Sequence, residues 1–518
     1  MFKRFTAFGA FLVIFLVGTA PAATIYVPDN HTTIQNAIDA AWNGDIIIVR
    51  AGTYLENINF NGKKIILQSE DGPLATVIDG NRTDTVVRFE NNESPSAVLD
   101  GFTIMNGGTQ GDGAGIRICG SSPTIRNNVV RNNSASATWS GGGGILCENS
   151  SSLIEFNTVK SNTATYIGGG LYCPWGGLPV IRNNRIEDNT ADFGGGISCR
   201  GQDTTVTNNT ITWNNAAAGA GVQLSNSSGL VAGNVVMHNT AVHQGGGFNI
   251  DDQGSPVLTD NLICKNVAGW SGGGINLEQT VTPTITNNTI TENHGNDGGG
   301  IACNNTVTFD ITNTILWNNT CNWNGPEIFE GSTTPVVTYC CVAGTWPGTG
   351  NIAADPLFLD VGNDDFHLPF GSPCVNAGDN LAPSIQAVDF EGAPRVAVGT
   401  VDIGADEFYY HMYSLGTPTP GGRITIGVTG MPLAPALLAL GVDIQNPPQN
   451  TPYGTLYLTL PLATTVPLGS LSPYGTLSVN VNLPSAWAPG DKRPMQALVG
   501  PMGNPSSVLT NLMLLEIE

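Results

Sequence analysis

The run Ile181-Arg182-Asn183-Asn184-Arg185-Ile186-Glu187-Asp188-Asn189, followed by Gly194-Gly195-Gly196-Ile197-Ser198-Cys199, carries the pattern on which the architecture turns. The next window repeats it as Val206-Thr207-Asn208-Asn209-Thr210-Ile211-Thr212-Trp213-Asn214 and Gly221-Val222. Outward in both directions, the last glycine of each cluster falls at Gly115, Gly144, Gly170, Gly196, Gly221, Gly247, Gly274 and Gly300, with steps of 29, 26, 26, 25, 26, 27 and 26 residues. Self-similarity at such a period marks a stacked array of one small unit. After each glycine the first and third residues are apolar or thiol-bearing: Ile116 and Ile118, Ile145 and Cys147, Leu171 and Cys173, Ile197 and Cys199, Phe248 and Ile250. The residues between them (Arg117, Tyr172, Ser198, Gln223, Asn249) vary freely, so the spacing predicts a strand with one buried side.

The second element follows I-x-x-N-x-I-x-x-N and sets asparagines at 128, 157, 184, 209, 234, 261 and 288, and again at 133, 162, 189, 214, 239, 266, 293 and 319. A coil of about 26 residues with short strands and sharp bends predicts a parallel β-helix, each coil lying about 4.8 Å above the last. An asparagine turned inward at a bend can hydrogen-bond the loop backbone and the asparagine stacked on it. The G-G-x-G-x-D spacing of a nonapeptide calcium-binding roll is absent. Residues 32–42 place Ile34, Ala37, Ile38 and Ala41 on one helical face, a short cap over the open first coil.

Composition bounds the rest. The chain has 518 residues, with 19 Lys and Arg against 41 Asp and Glu, a net charge of −22. Such an acidic chain repels a phosphate backbone, so nucleic acid is excluded as a partner. Lys3 and Arg4, the apolar run from Phe8 to Val17 and Ala20-Pro21-Ala22 read as an export signal over residues 1–22, with no membrane span after its cleavage. The product is expected to be secreted or held at the cell surface. Fifteen of the 32 prolines lie beyond residue 410, and all ten cysteines lie between Cys119 and Cys374. The boundary therefore falls at 410: residues 23–410 form the β-helix, and 411–518 read as a small antiparallel β-sandwich, with Tyr453-Gly454-Thr455-Leu456 recurring as Tyr474-Gly475-Thr476-Leu477. Cys147, Cys173 and Cys199 sit one period apart and read as a buried thiol column. Cys321, Cys340, Cys341 and Cys374 are irregularly spaced and are the better disulfide candidates.

The segment from Ile34-Gln35 through Gly52-Thr53-Tyr54-Leu55-Glu56 and Val77-Ile78-Asp79-Gly80 resembles the opening coils of the pectin-lyase-like superfamily of right-handed parallel β-helices. Asp355-Pro356-Leu357-Phe358, Ser372-Pro373-Cys374-Val375-Asn376-Ala377-Gly378 and Val401-Asp402-Ile403-Gly404-Ala405-Asp406-Glu407 are similar to the C-terminal part of bacterial surface proteins called choice-of-anchor Q. The resemblance implies fold far more than chemistry. The Asp-Phe-Ile-Phe-Gly strand of pectin esterases is missing, Asp251-Asp252 alone does not make the polygalacturonase set, and no arginine lies in a pectate lyase motif. No cofactor motif is evident; calcium is the one cation the pectate lyase comparison brings in.

Residues at equivalent positions of stacked coils form columns. One column contains Asp188, Trp213, His238, Lys265 and Glu292. Asp188, His238, Lys265 and Glu292 are the catalytic candidates, suited to acid-base work or to holding a cation, against the alternative of a solvated ridge. A second holds Trp139, Tyr166, Phe193, His243 and Trp270, rings that suit stacking on successive sugars, against the alternative that they shield the glycine bends. With Trp213 these are the substrate-binding candidates. The sequence thus predicts an all-β, right-handed parallel β-helix followed by a β-sandwich. Its partner is expected to be a polysaccharide or cell-surface glycan. The alternative is a polysaccharide lyase or glycoside hydrolase, and the oligomeric state stays open.

Overall fold

A computed structural model describes residues 22–408, apart from 202, 305–308, 332–333, 370 and 397–398, and beyond 411 the backbone of the strands alone. From Thr24 to Val342 the chain winds in coils whose short strands build four parallel sheets of 13, 12, nine and 11 strands. One coil shows the order: Thr205–Thr207 in face one, Thr210–Thr212 in face two, Asn215–Ala218 in face three and Val222–Ser225 in face four. Register is kept from coil to coil: Ile181 pairs Val206 and Val206 pairs Val231 on face one, while Ile186, Ile211 and Val236 follow one another on face two. These central residues point inward and form one continuous buried core. The short helix Ile34–Ala40 closes its first coil, with Ile34, Ala37 and Ile38 buried and Thr33 capping the amide of Asn36.

The strands are short because the chain must bend after faces one and two, and it bends through a left-handed residue. Asn183, Asp188, Asn208, Trp213, His238, Lys265 and Glu292 have φ of 55, 55, 55, 59, 56, 54 and 53°. That conformation costs an L-residue about 1–2 kcal/mol. The asparagine after each one offsets the cost. Asn209 Oδ1 accepts from the backbone N–H and the Nδ2 of Asn184 at 2.9 and 3.0 Å, while its own Nδ2 donates to Ile181 O at 2.9 Å and Asn234 Oδ1 at 3.0 Å. Asn214 repeats this on the second corner, between Asn189 and Asn239. The asparagine amides at these bends are thus satisfied by the protein itself.

The glycine clusters serve two purposes. Gly168 has φ +63, and a Cβ on Gly169 would lie 2.5 Å from Thr190 O and 2.7 Å from Gly195 O. One glycine thus supplies the turn and the next lets two coils meet backbone to backbone.

The second asparagine row ends on an acid. Asn319 donates its backbone N–H and Nδ2 to Glu327 at 3.3 and 2.5 Å, so Glu327 stands where the next asparagine would be. Burial pushes its carboxyl up to about 7, against the pull of those two hydrogen bonds. A pKa raised on folding favours the folded state most below the unfolded value near 4.5, and the advantage fades as pH rises towards 7. Its size is about 3 kcal/mol. The expected result is that stability falls between pH 5 and 8 more steeply in the native protein than in Glu327→Gln, by about 2 kcal/mol in denaturant titrations. Equal slopes for both proteins would rule out this role for Glu327.

All ten cysteines are free thiols. Cys147, Cys173 and Cys199 are buried in the core column the period predicts. Of the four irregular ones, Cys341 and Cys374 meet in one buried cluster, thiol against thiol. Cys340 turns its thiol towards the carbonyls of Thr338 and Ile311. Cys321 lies on the face-three strand Thr320–Asn324.

Residues 355–408 do not add coils, although the sequence reading placed them within the helix. They run back as an irregular strap over the outside of face two. Phe366 packs with Leu262 and Cys264, and Leu368 and Ile403 pack with Ile315. Gly404 N donates to Asn313 O at 2.8 Å and Ala405 N to Thr289 Oγ1 at 3.0 Å. The cause is the outward side of face two. Its outward pairs are polar in earlier coils (Thr158 and Lys160, Arg185 and Glu187, Thr210 and Thr212) and become Val235 and Met237, then Leu262 and Cys264 and, after the polar pair Thr289 and Thr291, Ile315 and Trp317. Exposed apolar strand faces of that kind must be covered.

Beyond residue 411 the strands pair antiparallel, as Arg423–Thr429 with Thr476–Asn482 and Pro435–Leu440 with Lys492–Val499. Whether these sheets pack as a sandwich lies outside the described residues.

Candidate functional site

The column of catalytic candidates lies on the left-handed corner between faces two and three. His238, Lys265 and Glu292 follow one another there, but the strap has reached them first. Lys265 Nζ pairs with Asp364, donates to Val361 O at 2.8 Å and lies 3.9 Å from Glu292. His238 Nε2 is 3.4 Å from Asp364 Oδ2, and the Trp213 ring stacks on the imidazole with centroids 4.3 Å apart and planes 5° from parallel. Burial works to raise the Asp364 carboxyl, yet Lys265 and His238 together hold it below the usual aspartate value. Asp188 stays exposed, outside this group. The observed partners make His238 and Lys265 fasteners of the strap.

The aromatic candidates form two separate groups. Trp139, Tyr166 and Phe193 touch edge to face, with centroids 4.8 and 5.4 Å apart. Phe193 pairs with Ile167, so it stands one residue out of step with Tyr166. His243 and Trp270 form a tilted pair at 4.1 Å. Trp139 and Trp270 are the most open of these rings, 71% and 54% exposed.

Sequence reasoning missed an amide row. The middle positions of face four, read as freely varying, are buried in several coils: Ser198, Gln223, Asn249 and Asn276. Asn249 Nδ2 donates to Gln223 Oε1 at 3.0 Å, Asn276 Nδ2 to Asn249 Oδ1 at 2.7 Å and Asn304 Nδ2 to Asn276 Oδ1 at 2.7 Å. Asp251 closes the row by accepting from Gln223 at 2.9 Å, and burial pushes its carboxyl up to about 6. Three amides in consecutive coils at one repeat position were the available signal.

A further site opens on the early coils. A cleft of about 650 Å³ is bounded by Arg82, Asn106, Gln110, Asn132, Ser136 and Ser161, with Gly107 and Gly108 in its wall. It lies at the corner between faces two and three, on the coils the strap does not cover. Arg131 and Lys160, paired on face two, immediately precede the lining residues Asn132 and Ser161, and Trp139 follows Ser136 by three positions. Amides, hydroxyls and one guanidinium thus line the cleft, with Arg131 and Lys160 next to its lining residues in sequence.

Comparison with known proteins bears on the fold. Residues 24–217 match the family described as periplasmic copper-binding protein (NosD), and residues 195–353 match the right-handed beta helix region. No curated protein matches the sequence. Among solved structures the chain is similar to a PL6-family alginate lyase, AlyGC, at 12% identity and TM-score 0.40, over 77% of this chain and 60% of that one. It therefore spans less than two thirds of the alginate lyase. It is also similar to XylC, solved with xylose, at 9% identity and TM-score 0.41, over 88% of this chain and 99% of that one. The match over residues 195–353, with the parallel sheets, makes the winding a right-handed parallel β-helix. Among the described residues no helix is long and apolar enough to cross a membrane.

Proposed function

We propose that this β-helix is an exported recognition protein that binds an acidic polysaccharide in the cleft of its early coils. The observation that carries the reading is the cleft itself: about 650 Å³, polar, containing Arg82 and flanked by Arg131 and Lys160 on a chain of net charge −22. A cationic spot on an otherwise acidic protein selects and steers an anionic ligand. Trp139 then offers a sugar ring a flat apolar face. In this reading residues 1–22 are the export signal, the protein works in the periplasm or at the cell surface, and residues 411–518 attach or orient it. Residues 355–408 are the choice-of-anchor Q-like part. Their work is to cover face two.

Copper binding, named in the description of the matching family, does not fit the residues present in that span. Its buried thiols Cys147, Cys173 and Cys199 line the closed core, the partly buried Cys119 donates to the Glu148 carboxylate, and His31 stands apart from them near the first coil. No step is built on copper. Calcium finds no dedicated oxygen cage among the described residues.

The test is binding of the native chain to uronate polymers and to neutral glucans and xylans by calorimetry. Uronate binding should weaken at least tenfold in Arg82→Ala and severalfold in Trp139→Ala, a tenfold change being about 1.4 kcal/mol. Failure to bind any polymer, or unchanged binding in Arg82→Ala, would sink the proposal. Release of unsaturated sugars that His238→Ala abolishes would favour the lyase alternative instead.

A further inference from the structure

The strap brings together an imidazole and several carboxylates far from the cleft. His367, Glu391 and Asp406 each offer a ligand atom, and these atoms lie within 4.8 Å of one another. The two ring nitrogens of His367 face different partners: Nδ1 is 2.5 Å from Asp365 Oδ1, and Nε2 is 3.0 Å from Glu391 Oε2. Asp406 is only 6% exposed, and its Oδ2 accepts from the Leu368 amide at 2.7 Å.

We propose that His367, Glu391 and Asp406 bind one divalent transition-metal ion of the zinc class, with Asp365 orienting the imidazole. Zinc bonds to imidazole nitrogen and carboxylate oxygen at about 2.0–2.2 Å, so donors already this close need only a small closure. A carboxylate on the second ring nitrogen is the outer contact that fixes a ligating histidine and makes it a better donor. Three carboxylates also face a single imidazole, and a doubly charged ion would offset two of their three charges. An imidazole among so few donors disfavours calcium, which takes six to eight oxygens. The site lies beyond both matched spans, 24–217 and 195–353.

The ligands come from three separate stretches of the strap, next to residues that pack in two different apolar clusters. Leu368 packs with Ile315 and Ile403, and Phe390 packs with Phe366 and Leu262. A bound ion therefore cross-links the strap where it lies on face two. By linkage, an ion that binds only the docked strap stabilises docking.

The experiment uses the full chain, stripped with chelator and titrated with Zn²⁺ or Ca²⁺ by calorimetry, with metal content read by mass spectrometry. One Zn²⁺ per chain is expected, with affinity falling at least twentyfold in Glu391→Gln and in His367→Gln. Glu391 is exposed, so Glu391→Gln leaves folding intact, which hydrogen exchange over the coils verifies. Zn²⁺ should also slow exchange in residues 355–408 of the native chain and not of the variants. Absence of stoichiometric Zn²⁺, native affinity retained in either variant, or preference for Ca²⁺ overturns the assignment.

Discussion

Asn209→Ala is expected to destabilise the β-helix by about 3–5 kcal/mol, although it removes only one small polar side chain. Four groups lose a partner at once: the backbone N–H and Nδ2 of Asn184, the carbonyl of Ile181 and Oδ1 of Asn234. Asn209 is 1% exposed, so water cannot replace it without opening the corner. The Asn184 N–H, left unmatched, costs about 1–3 kcal/mol; Asn184 Nδ2 keeps Ile154 O and Arg182 O, and Asn234 Oδ1 keeps the Asn209 N–H, so each remaining lost bond costs about 0.5–1.5 kcal/mol and the losses do not add in full. Asn208, which precedes it with φ 55°, also loses the anchor that holds its left-handed bend. The measurement is denaturant unfolding together with hydrogen exchange at the amide of Asn184, whose acceptor has gone. Asn215→Ala is the control: its Nδ2 reaches only the nearby Trp213 carbonyl at 3.3 Å on an exposed strand, so a change under about 0.5 kcal/mol is expected. Asn209→Ala within 1 kcal/mol of the native protein would show that the asparagine row follows the fold without supporting it.

Arg395→Ala should release the strap and leave the coils standing. Arg395 is 1% exposed and donates to Ala405 O at 3.0 Å, to Asp402 O at 3.2 Å and to Gly404 O; its Nε lies 3.4 Å from Asp260 Oδ1, itself on a buried residue. Truncation leaves a buried carboxylate without its cation and three carbonyls without their donor. Breaking one side of such a pair costs about 3–5 kcal/mol. The loss falls on strap docking, because the coils keep their own ladders. Proteolysis should move into residues 355–408, and Lys265 should become open to acetylation as Asp364 withdraws. The double variant Asp260→Asn with Arg395→Met removes both charges and should recover much of the loss. Cleavage spread evenly over the coils would contradict a separately docked strap.

Trp213 and Lys265 show why the site was harder to read than the fold. Both were correctly placed in one column, since a column needs only the repeat. Their roles were not legible, because the partner that engages Lys265 and His238 is Asp364, 99 residues beyond Lys265. The cleft was missed for a similar reason: Arg82 precedes the regular repeat, so no periodic position announces it. The amide row on face four was in plain view at Gln223, Asn249 and Asn276, and a reading restricted to the apolar side passed over it.

The winding, its inward face and its corner asparagines could be taken from the chain alone. Each is a local requirement met again at every period, so the repeats corroborate one another. The course of residues 355–408, and with it the fastening of Lys265 and the meeting of His367, Glu391 and Asp406, could not. Contacts such as Ala405 to Thr289 join residues 116 apart and occur once, so they leave no repeating trace. The fold came from periodic contacts, whereas the chemistry depends on single long-range ones.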